Sequence, residues 1–249
     1  MEILEVQEIY SGYGDVQILA GTNLSIQAGQ ITALVGANGV GKTTLLRTVM
    51  GLLRPIQGKI RFNDQDITHL SAHMKAEMGL ILVPEGRQLF TTMSVAENLE
   101  MGATPKRAHQ QKQTNLEKIY ELFPRLKERR DQKAGTLSGG EQQMLAIARG
   151  IMSEPLLFMI DELSLGLSPT MSLQLFEILL TLKKAGLTLL LVEQNVQMAL
   201  AISNYAYVLS GGRTDLEGPS RELIKNEKVR TAYLGSTANH EMGSNKRDE

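Results

Sequence analysis

The sequence contains no cysteine and no long apolar run among its 249 residues. Without thiols the chain can form neither disulfides nor thiolate metal sites. The longest apolar stretches, near residues 156–160 and 187–192, are far shorter than the roughly 20 residues of a membrane-spanning helix. Such short runs are typical of buried strands in a parallel sheet. Because residues 1–5 are acidic and alternating, we also expect no signal peptide.

A charge bias and a metal-ligand cluster are lacking too. The formal net charge is −1, so the basic excess of nucleic-acid-binding proteins is absent and we predict no nucleic-acid partner. The histidines are scattered (His69, His73, His109 and His240), and no cysteine or acidic cluster completes a zinc set. The length favours one domain over residues 1–235, and the polar tail at 236–249 is expected to be disordered.

A glycine-rich segment carries the clearest chemistry. It follows an apolar run at 31–35, precedes a helix predicted from 41 to about 52, and reads Gly36, Ala37, Asn38, Gly39, Val40, Gly41, Lys42, Thr43 and Thr44. Glycines let backbone N–H groups surround phosphate oxygens, and the helix points its positive end at the same anions. Lys42 is expected to reach the outer phosphates and Thr43 to supply a hydroxyl to Mg²⁺. The loop alone does not separate an ATPase from a kinase or a GTPase.

Asp161 and Glu162 end the apolar run at 156–160. A carboxylate at that end of a parallel strand, beside a phosphate loop, is placed to hold Mg²⁺ through water. Glu162 leaves the strand and can act as general base for the attacking water. The alternative is an acidic pair at a helix start, which the helix dipole also favours.

Ser138, Gly139 and Gly140 open a predicted helix. Ser138 is a good N-cap, which is a sufficient structural reason for that residue. Two glycines after a cap cost helix stability, which indicates that another group approaches the backbone closely. The γ-phosphate held by a second subunit fits this position.

With these motifs the sequence resembles the ABC ATPase family, and it closely resembles the ATP-binding subunits of branched-chain amino acid importers. The resemblance covers residues 3–235. It rests on GANGVGKTTLL, VPEGRQLF (83–90), SVAENLEMG (94–102), YELFPRLKERR (120–130), LSGGEQQMLAIAR (137–149) and LVEQN (191–195). It implies an α/β fold: a P-loop NTPase ABC cassette with a RecA-like parallel-sheet core, an N-terminal antiparallel β subdomain and a helical subdomain at about 86–150.

The same resemblance implies further roles. Tyr13 would stack on adenine, with Tyr10 as the fallback. Glu85 would replace the usual glutamine that senses Mg²⁺ and the permease, and Gln194 the usual histidine at the γ-phosphate. Residues 164–168 would form the loop that crosses the dimer. Lys42, Glu162 and Gln194 are thus the expected catalytic set, and Thr43, Glu85 and Asp161 the expected metal set.

The implied function is ATP hydrolysis, with ATP and Mg²⁺, that powers solute uptake at the cytoplasmic face of a membrane. The implied partners are a second ABC ATPase subunit, identical or different, transmembrane permease subunits and, indirectly, a periplasmic or surface solute-binding protein. Leu163 stands where the family usually has proline. Importers of urea or short amides, a soluble ABC protein of translation or DNA repair, a non-hydrolysing regulatory cassette and a P-loop kinase remain as alternatives.

The remaining chain is predicted more coarsely. Residues 1–35 should be strands with turns at 11–14 and 28–29, and further strands should occupy 59–62 and 80–83. Residues 94–130 should form a helical insertion with a small core of its own, beginning at a capping box on Ser94. The helix after Ser138 should bury one face, made of Met144, Ile147, Ala148 and Ile151, and another helix should span about 170–185. The sequence has no internal repeat, which predicts one nucleotide site per chain.

Overall fold

The structure, a computed structural model, describes residues 1–234, so the tail at 236–249 lies outside the described residues. The strands are β1 (Glu2–Tyr13), β2 (Val16–Gln27), β3 (Ile31–Val35), β4 (Gln57–Phe62), β5 (Gln65–Asp66), β6 (Leu80–Val83), β7 (Leu157–Asp161), β8 (Thr188–Glu193), β9 (Tyr205–Ser210) and β10 (Arg213–Pro219). The helices are α1 (Lys42–Val49), α2 (Ala72–Met78), α3 (Val95–Gly102), α4 (Lys106–Gln110), α5 (Lys112–Leu122), α6 (Pro124–Glu128), α7 (Gly139–Ile151), α8 (Pro169–Lys184), α9 (Val196–Ile202), α10 (Ser220–Leu223) and α11 (Glu227–Val229). A 3₁₀ turn covers Ala134–Thr136 and a π-helical turn covers Arg230–Leu234.

A six-stranded sheet in the order β10-β9-β3-β8-β7-β6 forms the centre of the molecule. Its strands are parallel except for β10, which pairs antiparallel with β9. Strands β3, β7 and β8 are buried along their whole length, as their continuous apolar runs predict. Val35 pairs with Glu193, and Asp161 pairs with Val192. The carboxyl ends of these three strands therefore meet at one edge of the sheet.

An antiparallel sheet in the order β2-β1-β4-β5 is formed largely by the N-terminal residues. The turn predicted at 11–14 is wrong, because β1 continues to Tyr13 and the chain reverses at Gly14 and Asp15. At Gly12 the strands approach so closely that an added Cβ would lie 2.0 Å from the carbonyl oxygen of Val16. This glycine thus reflects a close cross-strand contact rather than a turn.

Helix α1 packs between the two sheets through Leu45, Leu46 and Val49, which share one buried cluster with Leu4 and Leu34. It ends at Val49, earlier than predicted, because Gly51 adopts a left-handed conformation (φ 77°) and its N–H donates to Thr48. Lys75, fully buried in α2, donates a hydrogen bond of 2.8 Å to the carbonyl of Val49. Burial lowers the pKa of Lys75 to about 8, while Asp66 partly opposes that shift.

The helices α3 to α7 begin as predicted at a capping box, in which Ser94 and Glu97 exchange hydrogen bonds. The expected separate core is wrong: Ile119, Phe123 and Leu126 belong to the same cluster as Phe158 in the sheet. Helix α7 makes this continuity possible because it contacts α3 and α6 as well as β6. Its predicted apolar face is confirmed, with Met144, Ile147 and Ala148 buried and Ile151 half-buried. The limits of a helical subdomain remain a prediction.

None of the helices within residues 1–234 combines the length and the apolar character that crossing a bilayer requires.

Candidate nucleotide-binding site

A cavity of about 410 Å³ opens beside the glycine-rich loop. It is lined by Ile18 and by nine of the residues selected from the sequence: Asn38, Gly39, Gly41, Lys42, Thr43, Thr44, Glu85, Glu162 and Gln194. The nine selected residues come from four separate stretches of chain, which the fold brings to one edge of the parallel sheet. In open α/β sheets ligands bind outside the carboxyl ends of the strands, so the cavity has the expected location.

The loop backbone requires its glycines. Gly36, Gly39 and Gly41 have φ values of 153°, 78° and 108°, a region that disfavours other residues. An added Cβ would lie 2.4 Å from the Leu209 carbonyl oxygen at Gly36 and 2.8 Å from Leu19 at Gly41. No side chain caps the start of α1, and its first turn contains no acidic residue. Its first N–H groups are therefore available to an anion.

Lys42 is 5% exposed and is held by the loop itself. Its Nζ donates hydrogen bonds of 2.8 Å to the carbonyl of Gly36 and 3.0 Å to that of Ala37. Burial lowers the pKa of Lys42, while the carboxylates of Glu162, Asp161, Glu193 and Glu85 oppose that shift. A buried cation surrounded by carboxylates remains well suited to bind phosphate oxygens.

Asp161, the last residue of β7, is 2% exposed. Among residues 1–234 its Oδ1 is buried and has no hydrogen-bond partner. Burial raises the pKa of Asp161 to about 6, an effect that the Thr43 hydroxyl opposes. An orphaned buried carboxylate oxygen beside a hydroxyl provides the hard oxygen donors that Mg²⁺ prefers. The residues present therefore fit a Mg²⁺ ion completed by nucleotide phosphates.

Glu85 lies two residues after β6 and lines both this cavity and a neighbouring groove that Asp161 and Thr43 also line. The three residues of the expected metal set are thus brought together at the groove. Within residues 1–234 there is no cluster of three or more histidine or acidic side chains that would form a protein-only metal cage.

Glu162 and Gln194 are directly connected. The Nε2 of Gln194 donates to both carboxylate oxygens of Glu162, at 2.6 and 2.5 Å. Glu162 itself has a left-handed backbone (φ 56°), and its N–H donates to the Val192 carbonyl at 2.9 Å. That conformation costs a non-glycine residue roughly 1–2 kcal/mol, so the surrounding hydrogen bonds must stabilise it. Backbone and amide together hold the carboxylate at the cavity.

Glu193 is a site residue that the sequence reasoning missed. It ends β8, is 1% exposed, and accepts hydrogen bonds from Ser164 N (3.0 Å) and Ser164 Oγ (2.9 Å). Burial raises the pKa of Glu193, and the Ser164 hydrogen bonds oppose that shift. The two hydrogen bonds connect the start of the 164–168 loop to the end of β8. The available signal was a lone acidic residue at the end of an apolar strand.

Leu163 has a packing role. Its side chain is fully buried in the same cluster as Ile160 and Leu189. The leucine therefore fills core space between the acidic pair and the loop that follows.

The Ser138 segment lies apart from the cavity, because none of its residues lines it. Ser138 caps α7 in a capping box with Glu141, and both Ser138 and Gly139 are exposed. At Gly140 the close approach that the two glycines predict comes from within the chain. An added Cβ there would lie 2.4 Å from the Met171 methyl, so a neighbour within the chain already occupies that space.

Tyr13 is 41% exposed and lines neither the cavity nor the groove. Its hydroxyl accepts a hydrogen bond of 3.1 Å from Arg47 of α1, which holds the ring beside the phosphate-loop helix. Tyr10, the fallback, is half-buried, and its hydroxyl lies 3.0 Å from the position of an added Cβ at Gly21. Of the two rings, Tyr13 is the more accessible to a nucleotide base.

Three features define a nucleotide-binding cassette: a phosphate loop after β3, an acidic pair at the end of β7, and a helix, α7, that is capped by an exposed serine. The family model described as ABC transporter matches residues 19–164, more than half of the chain. The protein belongs to the ABC transporter family, and its cassette is a nucleotide-binding ATPase domain.

Curated relatives match the chain over nearly its whole length. The high-affinity branched-chain amino acid transport ATP-binding protein BraG of Pseudomonas aeruginosa is 44% identical over 94% of this chain and 100% of the relative. A probable branched-chain amino acid transport ATP-binding protein, LivF of Archaeoglobus fulgidus, is 37% identical over 94% and 99%. The lipopolysaccharide export system ATP-binding protein LptB of Escherichia coli K12 is 30% identical over 94% and 98%.

Solved structures agree with the fold. A nucleotide-free ATP-binding cassette from an ABC transporter has a TM-score of 0.82 at 27% identity, covering 95% of this chain and 100% of that one. The ADP conformation of an ABC transporter cassette has a TM-score of 0.80 at 29% identity, with coverage of 95% and 100%.

Proposed function

We propose that this protein is the ATP-hydrolysing subunit of an ABC importer that takes up branched-chain amino acids. The observation that carries the enzymatic part is the cavity shared by Lys42, Thr43 and Glu162. The similarity to BraG, at 44% identity over 94% of the chain, supports the solute class.

Different residues of the cavity would bind the phosphates, hold Mg²⁺ and accept a proton during ATP hydrolysis. The loop N–H groups and Lys42 bind the phosphates, while Thr43, Asp161 and Glu85 would hold Mg²⁺. When bound, Mg²⁺ neutralises the charge that develops on the phosphoryl oxygens. Glu162 accepts the proton of the attacking water. Gln194 keeps the Glu162 carboxylate in place and has the donor chemistry to contact the γ-phosphate.

A second ATPase subunit would complete the site. Ser138 and Gly139 are exposed at the start of α7 but do not line the cavity of their own chain. A helix N-terminus with bare N–H groups suits the γ-phosphate bound by a partner cassette. Either an identical or a different partner fits this head-to-tail arrangement.

A groove of about 520 Å³ beside Glu85 is the surface that we assign to the permease. Leu52, Phe90 and Met101 line it, and each is more than 40% exposed. An exposed apolar groove of this kind suits a short helix of a membrane subunit. Because Glu85 and Asp161 also line the groove, a permease segment there would lie next to the metal-binding residues. This docking would hold the protein at the cytoplasmic face of the membrane, and a solute-binding protein would act through the permease.

The solute assignment has a direct test. The relatives also include an ATP-binding protein of a lipopolysaccharide export system, so similarity alone does not fix the solute. We therefore propose reconstituting the protein in vesicles with its partner ATPase and permease subunits and measuring ATP-dependent uptake. Leucine, isoleucine and valine should be taken up in competition with one another. Uptake of urea or a short amide in their place would contradict the amino acid assignment.

Replacing Gln194 by histidine should raise the ATP turnover of the isolated protein. A neutral amide can hydrogen-bond the γ-phosphate, but it cannot become a cation as charge develops. Positioned acid–base groups contribute about 10²–10⁴ in rate, so we expect a gain toward the lower end, by up to about 10²-fold. Phosphate release, measured with and without the partner subunits, provides the readout.

Gln113→His, on the exposed face of α5, is the matched control and should leave turnover unchanged. The prediction assumes an asymmetric pair, in which a partner subunit with histidine at the equivalent position carries most of the ATP turnover. The wild-type protein should therefore also be much slower alone than in the assembled transporter. A slower Gln194→His variant, or equal rates alone and in the complex, would show that glutamine is a competent substitute.

A further inference from the structure

A second crevice, of about 260 Å³, lies between α5 and the C-terminal ends of α7 and α8. None of its lining residues lines the nucleotide cavity or the permease groove. The lining comes from α5, from the segment around the end of α7 and from the segment around the end of α8. It comprises Asn115, Lys118, Ile119, Leu122, Ile151, Glu154, Pro155, Leu182 and Leu187.

One carboxylate is fixed in this crevice. Glu154 is half-buried, has a left-handed backbone (φ 51°), and accepts a hydrogen bond of 2.8 Å on Oε1 from buried Asn115. Arg107 lies near enough to feel its charge but forms no ion pair with it among residues 1–234, donating instead to the Ser153 carbonyl. The second oxygen of Glu154 is therefore available to a cationic group of a ligand.

The crevice lining also contains one cationic residue, Lys118. Lys118 follows Asn115 by three residues on α5, so their side chains lie on one side of that helix. Lys118 is exposed and, within the described part of the chain, has no salt-bridge partner. Its ammonium group can meet a carboxylate at the mouth of the crevice.

The rest of the lining is aliphatic. Ile119 is buried, and the other five apolar side chains are half-buried (Leu122, Ile151, Pro155, Leu182 and Leu187). The lining contains no aromatic ring that would favour a planar ligand. Its volume is below the roughly 300–1,000 Å³ of sites for drug-sized molecules, which suits a small metabolite.

We propose that this crevice binds a free aliphatic α-amino acid in its zwitterionic form. The ammonium group pairs with Glu154, the carboxylate pairs with Lys118, and the branched side chain packs on the aliphatic lining. The ligand class follows from the two opposite charges, the apolar lining and the small volume of the crevice. Under the proposed function the ligand is also the imported solute, and its binding would then act as feedback on uptake. This second step rests on the proposed function.

The location of the crevice connects binding of the amino acid to ATP hydrolysis. Helix α5 is one of the helices between β6 and β7, whereas Leu187 directly precedes β8 of the central sheet. Ile151 ends α7, the helix that begins with Ser138 and the exposed Gly139. A ligand that contacts all three elements would favour the arrangement in which it binds, so we expect it to change the rate of ATP hydrolysis in the assembled transporter.

The test is calorimetric titration of the full-length protein with three probes. L-leucine carries both charges, 4-methylpentanoate only the carboxylate, and 3-methylbutylamine only the ammonium group. We expect a Kd of about 1 mM or below for L-leucine and binding about tenfold weaker for each truncated probe. L-glutamate and L-lysine should not compete.

Two variants assign the charges. Glu154→Gln retains an oxygen for Asn115 and should weaken L-leucine binding at least about tenfold, without affecting 4-methylpentanoate. Lys118→Gln should weaken L-leucine and 4-methylpentanoate but not 3-methylbutylamine. Glu117→Gln, an exposed neighbour on α5 outside the crevice, is the control and should bind as the wild type does.

The proposal is overturned if L-leucine does not bind at about 10 mM, or if both variants bind it as tightly as the wild type. Unchanged ATP affinity of the variants verifies that they fold. Vesicle uptake is a separate measurement: failure of amino acid uptake would refute the proposed function, whereas loss of crevice binding would leave that uptake intact.

Discussion

Glu162→Gln should lower ATP turnover by about 10²–10⁴-fold while ATP affinity is retained. The glutamine cannot accept the proton of the attacking water, but it keeps the size of the side chain and an oxygen for the Gln194 hydrogen bond. Single-turnover phosphate release, together with a nucleotide titration, would separate the chemical step from binding.

The same variant should accumulate as a head-to-tail dimer in the presence of ATP and Mg²⁺. In the proposed arrangement each Ser138 segment completes the site of the other subunit, so a site that cannot hydrolyse ATP would not release its partner. Size-exclusion chromatography, with the natural partner also supplied, would reveal the dimer. Glu222→Gln, an exposed change on α10, should behave as the wild type does. A monomeric Glu162→Gln protein under these conditions would contradict the shared site.

Lys42→Ala should abolish most ATP binding. The substitution removes the buried cation that opposes four nearby carboxylates and leaves them to repel the phosphates. Truncating one member of a buried charged pair costs about 2–5 kcal/mol, so we expect ATP affinity to fall about thirtyfold or more. Fluorescent nucleotide titration, with circular dichroism to verify folding, measures the effect.

The exposed residue Lys59 offers a matched control, since Lys59→Ala removes the same charge from β4 outside the cavity. Its ATP affinity should equal that of the wild type. Equal affinity in Lys42→Ala as well would invalidate the assignment of the whole site.

The sequence predicted the features that depend on local geometry. The phosphate loop could be predicted from the sequence because Gly36 and Gly41 are required there. Their backbone conformations and their close contacts exclude a side chain. Asp161 is readable because an acidic residue after a continuous apolar run marks a strand end in a parallel sheet.

Features that depend on distant parts of the chain were not predictable. Gly12 lies in the segment predicted as a turn, because glycine occurs both in turns and at close strand contacts, and only the β1–β2 pairing distinguishes the two. The shared core of the helices and the sheet depends on how α7 crosses between them. The role of Glu193 required Ser164, which lies 29 residues earlier in the chain.

The hydrogen bonds from Lys42 to the carbonyls of Gly36 and Ala37 have a kinetic consequence. They hold the loop in its binding conformation before the nucleotide arrives. Nucleotide binding therefore costs little entropy for ordering the loop. Association should therefore be limited by diffusion and electrostatic attraction, with the ammonium group exchanging carbonyl oxygens for phosphate oxygens after the encounter. Differences in affinity among loop variants would then arise mainly from how long the nucleotide stays bound.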